Sequence, residues 1–283
     1  NVLPAGLVNI IADKNDLGDK ITTHKGISKI SFTGSTATGS RVLASAASTL
    51  KRVTLELGGN DAGIVMDDVD VEAVAPQIFD GAFGNNGQIC IAMKRVYAHE
   101  SIYDKLVDQL AELAKEAAVG NGLEQGTKLG PLQNKMQFDK VKGYIEEGRA
   151  DGTIVAGGEV PDGKGYFIPP TIVKDIDDES RLVKEEQFGP VLPVIKYDDI
   201  DDVIERANDT DYGLGGSVWS SDTDRAYEVA KKVDSGTIWV NKHADVQPHI
   251  PFGGIKTSGI GAELGEEGLA EFTARKVINV AKA

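Results

Sequence analysis

Apolar positions along this chain switch repeatedly between a period of two and a period near 3.6, and the switching predicts an architecture. Residues 27–32 alternate apolar and polar side chains, as a half-buried strand does, and run into a small-residue turn at residues 33–39. Val42, Leu43, Ala46 and Ala47 then share one helix face. Val53, Leu55 and Leu57 alternate again before the turn Gly58-Gly59-Asn60-Asp61, and residues 62–66 form an apolar run suited to a buried strand. Asp70 is placed to cap the next helix, whose stripe of Val71, Val74, Ala75, Ile78, Phe79, Ala82 and Phe83 is the clearest in the chain. That helix leads directly to Cys90.

The theme continues to the end. Residues 95–98 read as a strand, and Ser101-Ile102-Tyr103-Asp104 resembles a capping box for a helix carrying Leu106, Leu110, Leu113 and Ala117. Residues 134–147 form a helix with Phe138, Val141, Tyr144 and Ile145 inward. Residues 154–156 form a strand closed by Gly157-Gly158. Strands at 190–195, 217–219 and 237–240 alternate with a helix marked by Val203, Ile204 and Ala207 and another capped by Asp222. Residues 7–11 are also strand-like. Strands separated by helices predict an α/β fold with parallel sheets and helices on both faces. No internal repeat or low-complexity tract interrupts the pattern.

Composition narrows the function. With 41% hydrophobic and 26% charged residues, the 283-residue chain is ordinary globular material, long enough for two domains. A formal charge of −14 disfavours nucleic acid and anionic lipid as partners. No apolar run reaches bilayer length, and no signal peptide is visible. With one cysteine, this predicts a reducing, cytoplasmic setting without a membrane partner. The four histidines, His24, His99, His243 and His249, lack metal-ligand spacing, so no metal is expected. The chain begins at Asn1 rather than methionine, from which we expect a removed N-terminal piece or numbering that starts inside a longer protein.

Cys90 is the only cysteine, and a lone thiol is either a small buried hydrophobe or a nucleophile. The approach Gly87-Gln88-Ile89, just past a helix, is a setting where functional groups lie. With an unperturbed pKa of about 8.5, such a thiol needs a base or a positive field to react near neutrality. No histidine lies close in sequence. Other segments carry comparable ambiguity. Phe32-Thr33-Gly34-Ser35-Thr36-Ala37-Thr38-Gly39 is either a plain turn or a phosphate-binding helix start, matching neither a G-x-G-x-x-G fingerprint nor a P-loop. Glu56, in Leu55-Glu56-Leu57-Gly58-Gly59, is either a solvated strand-end carboxylate or a general base with a raised pKa. Glu185-Glu186-Gln187-Phe188-Gly189-Pro190 is either a polar turn or a ribose and ring contact. The glycine-rich stretches 34–39 and 251–259 are candidate ligand walls.

In this order, residues 32–39, 55–59, 87–90, 186–190 and 251–259 resemble the aldehyde dehydrogenase superfamily, over essentially the whole chain. The resemblance implies oxidation of an aldehyde to an acid, with Cys90 as nucleophile and Glu56 as the base that activates water. It implies that Glu263, in Gly261-Ala262-Glu263-Leu264-Gly265, relays the proton. It assigns Glu186 and Phe188 to the nicotinamide-side ribose and ring, Gly34, Ser35 and Gly39 to the pyrophosphate turn, and the Leu57 backbone to the nicotinamide amide. NAD is the default cofactor and NADP the alternative. The implied layout is a remnant of a Rossmann-like dinucleotide-binding domain at 1–59, a catalytic domain at 60–258 and a tail at 259–283. A strand at 276–280 would join subunits into a homo-dimer or homo-tetramer. Two departures stand out. The family usually has lysine where this chain has Asn60, and the family's N-terminal portion, with one oxyanion-hole asparagine and the adenosine contacts, is not in the sequence. The isolated chain is therefore expected to be inactive or nearly so. Two further readings are a truncated non-catalytic paralogue and a coenzyme A-acylating relative, against which intact Cys90 and Glu56 count. Ile89 and Ile91 beside the thiol suggest an apolar aldehyde.

Overall fold

A computed structural model describes residues 2–161 and 163–282; Asn1, Asp162 and Ala283, the first and last with the chain ends discussed above, lie outside it. Among the described residues, ten strands fall into two sheets. The smaller contains β1 (Lys29–Thr33), β2 (Arg52–Glu56) and β10 (Gly259–Ile260) in the order β1-β2-β10. The larger contains β3 (Asp61–Val65), β4 (Met93–His99), β5 (Thr153–Ala156), β6 (Thr171–Lys174), β7 (Val191–Tyr197), β8 (Gly215–Trp219) and β9 (Thr237–Val240), in the order β5-β6-β7-β4-β3-β8-β9. The pairs β1–β2, β3–β4, β3–β8, β4–β7, β6–β7 and β8–β9 are parallel, whereas β5–β6 and β2–β10 are antiparallel.

Period-two alternation in the central strands assigns each side chain to one of two cores. Ile64, Tyr97 and Ile195 belong to one, and Val65, Val96, Ala98 and Val194 to the other. Helices α3 (Val71–Phe83) and α4 (Glu100–Glu116) cover the second face. Helices α5 (Lys135–Asp151), α7 (Ile200–Asn208) and α8 (Thr223–Ala230), with the one-turn α6 (Arg181–Lys184), cover the first. Helices on both sides explain why the strands of this sheet are buried along nearly their whole length. The seven-stranded, mostly parallel sheet bears out the α/β expectation. Short helices α1 (Gly18–Thr23) and α9 (Gly265–Ala270) lie near the ends, and α2 (Thr36–Ala47) follows β1.

Capping follows the sequence closely. Asp70, Asp199, Asp222 and Asn134 each accept a hydrogen bond from an amide in the first turn of the helix they precede. At α4 the expectation fails. The N-cap is His99, whose Nδ1 accepts from the Ser101 amide at 3.3 Å, so the supposed capping box starts two residues too late. Residues 7–11 form no strand and are exposed, and residues 276–280 are likewise without regular structure. Residues 7–11 pair with neither sheet, and a strand needs a ladder partner before its propensity counts; the strand expected at 276–280 is one between subunits and would need a second copy to pair with. The face carrying Val42, Leu43, Ala46 and Ala47 is mostly uncovered, with only Ala46 of the four buried. β6, hidden between Pro169-Pro170 and Asp175, is too short to declare a period.

Candidate active site

The chain reaches Cys90 through an unusual turn. After α3 ends, Asn85, Asn86 and Gly87 all take positive φ (50°, 57° and 73°), which reverses the chain in a left-handed turn. Asparagine tolerates that region better than other non-glycine residues. The buried Asn86 side chain donates to the carbonyls of Gly130 (3.0 Å) and Ile168 (3.4 Å). Gln88 then fastens the loop: its Nε2 donates to the Pro131 carbonyl (3.2 Å), and its Oε1 accepts from the Gln133 amide (2.8 Å). Gly87 is pressed so closely on the Gly189 carbonyl that a Cβ would collide with it. The turn therefore docks the thiol loop onto the segment carrying Glu186 and Phe188.

Glycines draw the other motifs inward. A Cβ on Gly59 would stand 2.5 Å from the Cys90 carbonyl oxygen, and one on Gly58 would stand 2.5 Å from Glu186 Oε2. Glu186 Oε1 accepts from the Gly59 amide at 3.0 Å. Phe188 is half-buried with φ of 51°, its carbonyl held by Gln137 Nε2 at 2.9 Å. Gly39 lies directly against the Leu57 side chain, and the Leu57 amide donates to the Ser258 carbonyl at 2.8 Å. Ser35 caps α2, its Oγ accepting from the Thr38 amide, and the Gly34 amide donates to the Glu56 carbonyl at 3.0 Å. Gly34 and Ser35 thus sit at the carboxyl end of β1, beside the carboxyl end of β2 where Glu56 lies. The five sequence motifs converge on one region of the molecule.

Glu56 is 3% exposed, and neither of its carboxylate oxygens has a hydrogen-bond partner among the described residues. Burial, reinforced by the negative charge of Glu263, pushes its pKa up to about 8. Glu263 is anchored by Ser31, whose hydroxyl donates to its Oε1 at 3.0 Å, and by backbone pairing with Phe252. Burial pushes the Cys90 thiol up as well, the Lys94 ammonium opposing it and Asp61 adding to it. Cys90 is half-buried against an apolar wall of Ile89, Ile91, Leu214, Trp239, Ala244 and Phe252.

Three charged or titratable groups in this neighbourhood escaped sequence reasoning. Lys94 lies beneath the thiol loop. Asp61 is buried, with Oδ1 accepting from the Gly215 amide at 3.1 Å, and burial raises its pKa to about 7 against the pull of Lys94. His243 Nε2 donates to the Ile91 carbonyl at 2.7 Å, which leaves Nδ1 to accept from Ser217 at 3.1 Å. Burial depresses the His243 pKa to about 4. The available signal was Lys94-Arg95 inside an otherwise apolar strand, since charge at such positions demands buried partners.

These shifts set a testable pH profile for stability. Glu56 and Asp61 titrate higher when folded than their ordinary values of 4.5 and 3.8, so the native state keeps protons that the unfolded chain releases. Stability therefore falls as pH rises between the ordinary and the folded values, at roughly 1.4 kcal/mol per pH unit for each retained proton. His243 acts oppositely from about 4 to 6.5, favouring the native state as pH rises there. The steepest decline is expected between about 6.5 and 7, continuing to about 8. Urea unfolding of the native chain and Glu56→Gln checks this: the variant should gain stability relative to native between pH 5.5 and 8.5, and a constant difference would contradict the assignment.

Comparison with known proteins agrees with this arrangement. The aldehyde dehydrogenase family model matches residues 2–278. The chain belongs to that family. It is 44% identical over 281 residues to the mitochondrial aldehyde dehydrogenase of Leishmania tarentolae, covering 98% of this chain and 56% of the relative. It is 44% identical over 274 residues to the chloroplastic betaine aldehyde dehydrogenase of Beta vulgaris, covering 95% and 55%. An aldehyde dehydrogenase of Bacillus cereus, solved as its NAD+ complex, superposes with a TM-score of 0.88 at 42% identity, covering 91% of this chain and 52% of that one. The chain thus spans about half the length of the curated relatives it matches. Among the described residues, no group of three or more His, Cys, Asp or Glu is placed to hold a metal, and no helix is long and apolar enough to cross a membrane.

Proposed function

We propose that this chain carries the catalytic cysteine, the water-activating carboxylate and the nicotinamide-side cofactor contacts of an NAD-dependent aldehyde dehydrogenase acting on an apolar aldehyde. The supporting observation is that one segment, residues 56–59, carries both the Glu56 carboxylate, without a partner and with a raised pKa, and Gly59, which abuts the Cys90 carbonyl and fixes Glu186 through its amide. In this reading Cys90 Sγ, as thiolate, attacks the aldehyde carbon and forms a thiohemiacetal. The Cys90 amide, which has no hydrogen-bond partner among the described residues, is free to donate to the developing oxyanion. Loss of hydride from the thiohemiacetal leaves a thioester on Cys90. Glu56 then takes a proton from water, the hydroxyl adds to the thioester carbon, and the acid departs as the thiolate is restored. Glu263 stands behind Glu56 as the next proton acceptor.

The residues present fit a nicotinamide dinucleotide. The side chain of Glu186 reaches the cradle formed by Gly58 and Gly59, where a Cβ would intrude, and α2 offers Gly34 and Ser35 at its start. NAD, when bound, supplies the hydride acceptor. NADP is the alternative, and nothing in the geometry favours it. The apolar wall formed by Ile89, Ile91, Ala244 and Phe252 supports an alkyl or aryl substituent on the aldehyde. Residues 1–59 and 259–283 would serve the cofactor side and residues 60–258 the catalytic side.

Because the chain by itself is expected to be inactive or nearly so, the test uses it joined to the N-terminal portion of a full-length relative: incubation with NAD and a series of aliphatic aldehydes, followed by quenching, intact-mass analysis and peptide mapping. The expected result is one acyl adduct on the peptide containing Cys90, with NADH formed in step. Absence of both adduct and NADH across the series overturns it.

A further inference from the structure

Residues 88–92 between the left-handed turn and β4 carry the thiol, yet little regular backbone pairing holds them; an Ala92 amide to Ile89 carbonyl turn at 3.0 Å is their one internal bond. The gap is filled from below. Lys94, 3% exposed, turns its side chain back along the loop. Its Nζ donates to the carbonyls of Ile89 (3.0 Å), Cys90 (2.7 Å) and Ala92 (3.2 Å). An ammonium has three protons, and here three carbonyls of the nucleophile's own loop take them.

The charge is placed as deliberately as the donors. Lys94 Nζ lies 3.9 Å from Glu186 Oε1, the oxygen that also accepts from the Gly59 amide. Asp61, Glu186 and Cys90 are the groups whose negative charge acts on Lys94, opposing the burial that lowers its pKa. Around the thiol, Asp61 and Glu186 disfavour ionisation and Lys94 favours it. Burial holds His243 neutral at the other side of the loop, against the pull of its bond to the Ile91 carbonyl, and Arg95 is turned away, donating to the carbonyls of Asn60 and Ala207. Lys94 is therefore the cation whose field reaches Cys90. Burying an ammonium is costly, and a neutral residue could fill the same space, so its presence calls for a use of the charge.

We propose that Lys94 is the positioning residue of the nucleophile: by clamping the Ile89, Cys90 and Ala92 carbonyls it fixes the thiol's place, and its charge sustains the thiolate beside the buried Asp61 and the half-buried Glu186 carboxylates. Through Glu186 the same ammonium ties the thiol loop to the nicotinamide-side ribose contact. The inference rests on Cys90 being the nucleophile, but its test needs neither aldehyde nor cofactor.

Because Cys90 is the only thiol, its alkylation by iodoacetamide, followed by mass across pH, reports this one site. Lys94→Met keeps the length and discards the charge. It is expected to raise the midpoint of the alkylation profile by about one pH unit, so that the rate near neutrality drops about tenfold. Lys94→Arg should recover most of that loss. Lys94→Gln keeps two donors without the charge, serves if Lys94→Met does not fold, and should show the same upward shift. A purely structural lysine would alter thermal stability in these variants and leave the midpoint in place. Folded Lys94→Met or Lys94→Gln with the native midpoint overturns the proposal. So does Lys94→Arg shifted as far as Lys94→Met. If the chain joined to a relative's N-terminal portion oxidises no aldehyde while these shifts appear, the functional reading fails and the role of Lys94 stands.

Discussion

In this chain joined to the N-terminal portion of a full-length relative, replacing Cys90 by alanine is expected to cut aldehyde oxidation by on the order of 10⁴-fold or more while leaving the fold intact. The size of the effect follows from the absence of a substitute: the chain has no other thiol, and the described residues offer no metal cluster to generate another nucleophile. In enzymes that work through a covalent intermediate, removal of the nucleophile alone costs about as much as removal of the whole catalytic set. The fold should tolerate the change because Cys90 is half-buried and contributes no strand or helix bond through its side chain, so the stability cost is about 1 kcal/mol or less. Cofactor affinity should persist, since Glu186, Gly58 and Gly59 are untouched. Steady-state rates, thermal midpoints and NAD titration, measured together, separate these expectations. A variant retaining more than roughly a hundredth of native turnover, against the expected loss, would remove Cys90 from the mechanism.

How much of this was legible in the sequence depends on where physical constraints are local. Helix caps at Asp70 and Asp222 and the α3 stripe were legible because a cap and a 3.6 period are fixed by residues a few positions apart. The buried strands were legible as apolar runs because helices lie on both faces. Segment 7–11 misled because strand propensity says nothing about whether an edge is available. At α4, a His99 cap was invisible to a pattern search tuned to serine and threonine. At the candidate site, motif order singled out Cys90, Glu56, Glu186 and Phe188 as candidates, but no period or spacing shows that Gly87 rests on Gly189 or that Gly59 abuts the Cys90 carbonyl. Lys94 was the largest loss. Its neighbours in space, the carbonyls of residues 89, 90 and 92, are backbone groups that leave no trace in composition.

Exchanging Glu56 for glutamine should separate the two halves of the reaction. The first half needs Cys90 and a hydride acceptor, neither of which Glu56 supplies directly. A burst of NADH close to one equivalent per Cys90 should therefore survive. The second half needs a base for water, and loss of general-base catalysis costs about 10²–10⁴-fold. The steady-state rate should fall by that factor, and acyl-Cys90 should accumulate to a mass detectable at the end of the burst. The pH dependence gives a second, independent mark. Because burial and the Glu263 charge hold the Glu56 pKa near 8, the carboxylate form is a minor species at neutrality and its share grows with pH. Native turnover limited by hydrolysis should accordingly climb through about 8, while the glutamine variant, with nothing to ionise there, should be flat over the same range. The exchange also removes a buried carboxylate that lacks hydrogen-bond donors, so the slower enzyme should be the more stable one at alkaline pH. Lost activity without a burst would place Glu56 before hydride transfer, and a variant with native rate and native pH profile would take it out of the site altogether.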